Sequence, residues 1–299
     1  MNETFSDWFL YFPELFLWMV FELLLLGLTF VVLGLASIED WKTREIPDYL
    51  SYFFVAAAVL FRLSWAVYEG SIDVLIWIPV SLGIFFAFAY LMYRGGQWGG
   101  GDVKLMVGLG IALSAFPTDG LFPYFISFFM NVLIVGSLYG IVMLLWLGIK
   151  NREKLASKIG SMDKVLLFVI GTAAFLVIYF FRASVGLMLM GLLLVVALGL
   201  LRFLKLVEKN CMEAYIPISK LTEGDWLVKD VKVGKTVVKV RPVGLVEEDL
   251  HVLRKLRSSG RLDRVLIKVG VPFVPAFFFA FLATLVFGNL MIRFLSTVV

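Results

Sequence analysis

Leu15–Ile38 reads LFLWMVFELLLLGLTFVVLGLASI, an apolar run whose only charge is Glu22. A helix rises 1.5 Å per residue, and a hydrocarbon core of roughly 30 Å needs about 20 apolar residues, so this stretch is long enough to cross a bilayer. Working outward, comparable runs follow at Tyr49–Tyr68, Ile72–Tyr93, Val103–Phe116, Leu121–Ile149, Val165–Phe181, Val185–Leu204 and Val269–Leu290, with the fourth span distinctly short. The 299-residue chain is 61% hydrophobic with a mean hydropathy of +0.94. A soluble domain is nearer half apolar, so the surplus is expected to face lipid. Only acids, Glu3, Asp7 and Glu14, precede the first span. Without a basic n-region it reads as a retained span rather than a removable signal peptide.

Lysine and arginine set the expected orientation, because they favour cytoplasmic loops. The N-terminus and the turns at Glu69–Asp73 and Pro117–Gly120 carry none. Lys42, Arg44, Arg94, Lys104, the run Lys150 to Lys164 and nearly all of Arg202–Lys268 fall on the opposite side, and Arg62, Arg182 and Arg293 stand outside the pattern. The N-terminus is therefore predicted outside. The loops after spans one, three, five and seven are predicted inside. The pI near 9.0 follows from this bias and does not call for nucleic acid. Glu22 and Arg62 lie at similar depth in spans one and two, and an unpaired charge there is costly, so they are expected to pair.

Glu208–Lys268 differs in composition. Trp226–Val233 and Thr236–Val240 alternate around Gly234-Lys235, a hairpin pattern. Glu247–Ser258 reads as a helix, with Glu247, Glu248 and Asp249 in its first turn, Arg254, Lys255 and Arg257 near its end, and Gly260 as a stop. Val246, Leu250 and Leu253 make its apolar stripe. The expected fold is an all-α polytopic membrane bundle of about eight spans, one short, with a small α+β cytoplasmic domain inserted before the last span. Its segments are a catalytic bundle over 1–207, the small domain over 208–268 and a final transmembrane helix over 269–299.

The single cysteine, Cys211, allows no internal disulfide or Cys-based zinc site, and the single histidine, His251, no His-based metal site. Two polar clusters remain. Glu39-Asp40-Trp41-Lys42-Thr43-Arg44-Glu45-Ile46-Pro47-Asp48 joins spans one and two, and Gly95-Gly96-Gln97-Trp98-Gly99-Gly100-Gly101-Asp102 leads into span four. Span parity puts Asp40 and Asp102 on one side of the membrane. Two carboxylates about 3 Å apart cannot both ionise, and the resulting acid–base pair hydrolyses peptides without a metal. Gly99, Gly100 and Gly101 are expected to allow positive φ and close approach of a substrate backbone. The following helix N-terminus favours Asp102 as an anion. If the short fourth span reaches the outer surface, Asp102 starts below the inner interface, in a wetted cavity. Asp48 reads as the N-cap of span two. Lys104 reads as a snorkelling cation or a partner of Asp102. Glu39 and Glu45 are expected to face solvent.

Together, Gly99-Gly100-Gly101-Asp102-Val103-Lys104-Leu105-Met106 resembles the G-x-G-D-x-K-L motif of type IV prepilin peptidases, the class III signal peptidases of the GxGD aspartic type. Asp40-Trp41-Lys42-Thr43-Arg44-Glu45-Ile46-Pro47-Asp48 resembles the first aspartate motif of the same family. Tyr215–Leu221, Glu223-Gly224-Asp225, Gly244-Leu245 and Gly270–Phe277 are similar to the C-terminal region of archaeal members. The resemblance implies catalysis by Asp40 and Asp102, and Lys104 and Asp48 are candidate supporting residues beside them. It implies no cofactor and no metal. The implied substrates are precursors of pilins, archaellins or related filaments, and the other contacts are membrane lipids. Bacterial members usually carry a cytoplasmic cysteine tetrad and N-methylate their product. That tetrad is missing here, so methylation is not implied. Presenilin-like intramembrane proteases pair GxGD with a Tyr-Asp motif in the preceding span, and no Tyr-Asp precedes Gly99 in that span. A cation transporter would place acids at mid-bilayer in broken helices, whereas Asp40 and Asp102 cluster at one face.

Overall fold

The computed structural model describes residues 5–70, 72–115, 122–158, 160–181, 184–234, 236–241 and 243–298. The expected Pro117–Gly120 turn, Arg182 and Lys235 of the hairpin turn lie outside the described residues. The chain divides into two compact units. One holds residues up to Tyr139 together with Arg241–Gly244 and Gly270–Val299, and the other holds Gly140–Val240 and Leu245–Val269.

The first unit is helical. Its helices are α1 (Phe5–Thr43), α2 (Asp48–Glu69), α3 (Ile72–Arg94), α4 (Gly100–Leu113), the beginning of α5 (Tyr124–Lys150), α10 (Val274–Phe287) and α11 (Leu290–Val298). Apolar residues outnumber polar ones all round these helices, and exposed leucines, phenylalanines and valines such as Leu23, Leu24, Phe53 and Leu91 mark lipid-facing sides. The short α4 packs between α2 and α3. Its glycines make this possible: a Cβ on Gly108 would overlap the Phe54 ring and one on Gly110 would crowd Phe85. Close approach through small residues is how membrane helices pack without a hydrophobic driving force. Phe54, Phe85, Leu105, Leu109, Phe277 and Phe281 are fully buried in the resulting core.

The second unit comprises the end of α5, α6 (Arg152–Lys158), α7 (Ser161–Phe181), α8 (Val185–Cys211) and a small α+β region. In that region β1 (Glu213–Pro217), β5 (Arg264–Lys268) and β2 (Trp226–Leu227) form an antiparallel sheet in the order β1-β5-β2. The strands β3 (Val231–Val233) and β4 (Thr236–Val238) form a separate hairpin. The helix α9 (Glu247–Ser258) has the predicted bounds. Leu250 and Leu253 bury its apolar face in a core shared with Ile218, Leu227, Val265 and Ile267, and Leu256 is buried as well.

Several expectations need correction. Trp226 does not belong to the hairpin, because Trp226 pairs with Lys268 across β2–β5. The run Val269–Leu290 is not one continuous span. Its helix starts only at Val274, after Pro272, and stops at Gly288, whose φ is 65°. The chain then continues as α11 across a bend of 50°. The described residues contain five helices long and apolar enough to cross a membrane, or six if that bent pair counts as one. The fourth expected span is α4 at 14 residues, and the sixth expected run contributes the shorter apolar stretch Phe168–Phe181. The protein is thus a multi-pass membrane chain.

The expected Glu22–Arg62 pair is present. Arg62 donates to both Glu22 oxygens, one at 3.0 Å, and its Nε donates to the Ala112 carbonyl at 3.1 Å. Both side chains are buried, so α1, α2 and α4 are tied together at one level.

Candidate active site

Asp40 lies near the C-terminal end of α1, and Asp102 in the first turn of α4. α1 contacts α4. The Asp40 charge reaches the Asp102 carboxyl, so the two motif aspartates lie within electrostatic range of each other. Asp102 caps its own helix. The Gly99 N–H donates to Asp102 Oδ2 at 2.9 Å, the reach of an N3 acid back to the N-cap amide. As a residue Asp102 is partly buried, but its carboxyl is the desolvated part. Burial and the Asp40 charge push its pKa up to about 7, against the pull of the Gly99 amide.

The carboxylate of Asp40 is buried as well, and Oδ2 accepts the Val274 N–H at 2.9 Å. Sequence reading did not place the C-terminal segment here. Its available signal was the pair Pro272 and Pro275, because proline near position N1 marks a helix start. Around this contact Trp98, buried beside Gly99, packs its ring 5.6 Å from that of Phe273 and 5.1 Å from that of Phe277. Tyr139 stands edge-on to Phe273 at 6.3 Å, within electrostatic reach of Asp40. Its buried hydroxyl has no hydrogen-bond partner among the described residues.

Of the glycines, Gly99 is the N-cap of α4 with φ −78°, and Gly100 and Gly101 are helical. The expected positive φ in this run is therefore absent, and the left-handed glycine is Gly96 at φ 63°. Close approach is real at Gly101, but it is to Ile46 of the first motif: a Cβ there would lie 2.9 Å from the Ile46 Cβ. Gly100 has nothing within 4 Å of such a position.

Asp48 is not the N-cap of α2. Pro47 takes that place, and the Asp48 carboxylate instead accepts from Lys104 Nζ at 2.6 Å. Lys104 also lies 4.7 Å over the Tyr52 ring. This corrects the expected pairing of Lys104 with Asp102. Glu45 is exposed and Glu39 is half-buried. Arg44 adopts φ 61° and donates to the Gly270 carbonyl. Among the described residues no cluster of three His, Cys, Asp or Glu could hold a metal ion.

Residues 27–145 match the type IV leader peptidase family, a stretch that includes both aspartate motifs. A preflagellin peptidase of Methanococcus maripaludis is 34% identical over 82 residues, 27% of this chain and 35% of that protein. The match therefore spans about a third of that relative's length. The prepilin peptidase EppA of Methanothermobacter thermautotrophicus is 22% identical over 370 aligned residues, covering 91% of this chain and 96% of that one. No solved structure matches the chain. The stretch that carries both aspartate motifs is thus similar to the type IV leader peptidase family, and similarity to one archaeal relative extends over most of the chain.

Proposed function

We propose that the protein is a membrane-embedded aspartic endopeptidase that removes short basic leaders from type IV prepilin- or archaellin-like precursors at the cytoplasmic face. The observation that carries this reading is that the two aspartate motifs meet, with Ile46 resting on Gly101 and the Asp40 charge within reach of the Asp102 carboxyl. Two such acids hold one proton between them, and their titration belongs to the pair. The ionised acid takes a proton from water as the water oxygen bonds to the scissile carbonyl carbon. The neutral acid hydrogen-bonds the carbonyl oxygen. The tetrahedral species then collapses, the C–N bond breaks, and the proton taken from water passes to the departing amine. One water is consumed, the leader leaves with a carboxylate, and the mature chain gains a new N-terminal amine.

The basic loops support the N-terminus outside and the site inside. A precursor with a basic leader and a long apolar helix presents its cleavage point at that interface. In this reading the segment Gly99–Gly101 lies beside the extended scissile backbone, and Lys104 with Asp48 flanks it.

Coexpression with a candidate prepilin, following leader loss by gel shift, tests the reading. Asp40→Ala and Asp102→Ala should each abolish processing while the protein stays in the membrane. The double variant should be little worse than either single one, because members of one catalytic unit are not additive. Processing by either single variant at the wild-type rate would sink the proposal.

A further inference from the structure

The first aspartate depends on a part of the chain more than two hundred residues away. The Val274 N–H that meets Asp40 Oδ2 is one of the first amides of α10, which have no carbonyl partner within their own helix. The helix dipole there favours a negative charge. The start of α10 is firmly held. Val274, Ala276 and Phe277 are fully buried. The Phe273 ring packs on Trp98 and Phe277, and it lies so close to Gly136 that a Cβ there would come within 2.9 Å. On the other side Arg44, one turn beyond Asp40, donates to the Gly270 carbonyl. The segment is thus fastened beside both motifs, through Trp98 next to Gly99 and through Arg44 next to Asp40.

We infer that the first turn of α10 is the positioning element of the proposed reaction: the Val274 N–H holds Asp40 in place and in its anionic form, as the member of the pair that takes the proton from water. The inference rests on the two-aspartate reading above. A hydrogen bond from an amide to a carboxylate is roughly twice as strong as one between neutral groups, so it selects the charged state as well as the rotamer. The groups facing Asp40 are Asp102 from α4, Arg44 just past the end of α1 and Tyr139 from α5. Burial opposes the Asp40 charge, and the Val274 amide, the Phe273 amide and Arg44 favour it, so the anion depends on the start of α10. The shared proton then resides on Asp102, in keeping with a carboxyl pushed up to about 7.

The test uses the full-length protein in lipid nanodiscs and a synthetic prepilin peptide. Val274 is replaced by its α-hydroxy acid, which keeps the side chain and removes only the N–H. The acidic limb of the kcat profile should move up by about one pH unit, a roughly tenfold loss of kcat below the limb, with KM unchanged. Val274→Ala keeps the N–H and should leave the limb in place. An unmoved limb in the ester, or an equal shift in Val274→Ala, overturns the inference. If the ester does not assemble, Gly136→Ala, which pushes on Phe273, should move the same limb, and an unmoved limb there overturns it too. Asp40→Asn keeps the two ideas apart. Normal cleavage by that variant would remove the two-aspartate reading itself, whereas an inactive Asp40→Asn with an unmoved ester limb removes only the role of α10.

Discussion

Ile46 rests directly on Gly101, with room for a hydrogen and nothing larger between them. The contact joins the loop after Asp40 to the residue before Asp102, so the spacing of the two acids is set in part by the absence of a single side chain. Gly101→Ala should lower cleavage at least tenfold, because overpacking of about 1–3 kcal/mol pushes the motifs apart. Trimming the other partner in Gly101→Ala/Ile46→Ala should restore part of the rate. Rates measured on a prepilin peptide decide it: no rescue by the second change would mean that Gly101 matters for some other reason.

Asp102 gives a pH dependence with a definite sign. Its carboxyl is raised from 3.8 to about 7, so the shared proton is kept below that value and lost above it. Cleavage should therefore fall as pH rises through about 7, and a kcat profile flat from pH 6 to 9 would contradict this. Stability follows the same direction. Folding disfavours ionised Asp102, so the cost is absent below the unfolded value, grows as pH rises and is complete above about 7. Asp102→Asn should be inactive yet melt higher than the unaltered protein at pH 8, and lose that advantage at pH 4.

Glu22 and Arg62 should behave as a buried pair. Removing one partner strands the other, at a cost of about 3–5 kcal/mol. Glu22→Ala and Arg62→Ala should each lower the thermal midpoint in detergent markedly, and Glu22→Leu/Arg62→Leu should recover part of the loss. The recovery will be incomplete, because the Ala112 carbonyl also loses the Arg62 donor. A double variant worse than the sum of the singles would show that the pair is not the unit.

Lys104 and Asp48 call for the opposite expectation. Their side chains are 31% and 66% exposed, and ion pairs of that kind contribute about 0–1 kcal/mol. Lys104→Met should leave the melting temperature nearly unchanged and reduce cleavage by less than about tenfold. A loss as deep as that of Asp102→Ala would place Lys104 among the reacting groups.

The helix α9 and the membrane spans were legible because their causes are local. Acids at the first turn, bases at the last and leucines at helical spacing define Glu247–Ser258 within twelve residues, and an apolar run of sufficient length defines a span wherever it occurs. The two aspartates were legible as candidates, since each lies in a short motif. β1 and β5 were not, because residues 213–217 find their partners at 264–268, and no pattern in either five-residue stretch announces the other. The same holds for the environment of the acids. Sequence order determined which residues carry the carboxyl groups of the two motifs. Only the tertiary structure brought Val274 to Asp40, Ile46 to Gly101 and Lys104 to Asp48, because contacts between distant segments are chosen by how whole helices pack rather than by the residues beside them in the chain.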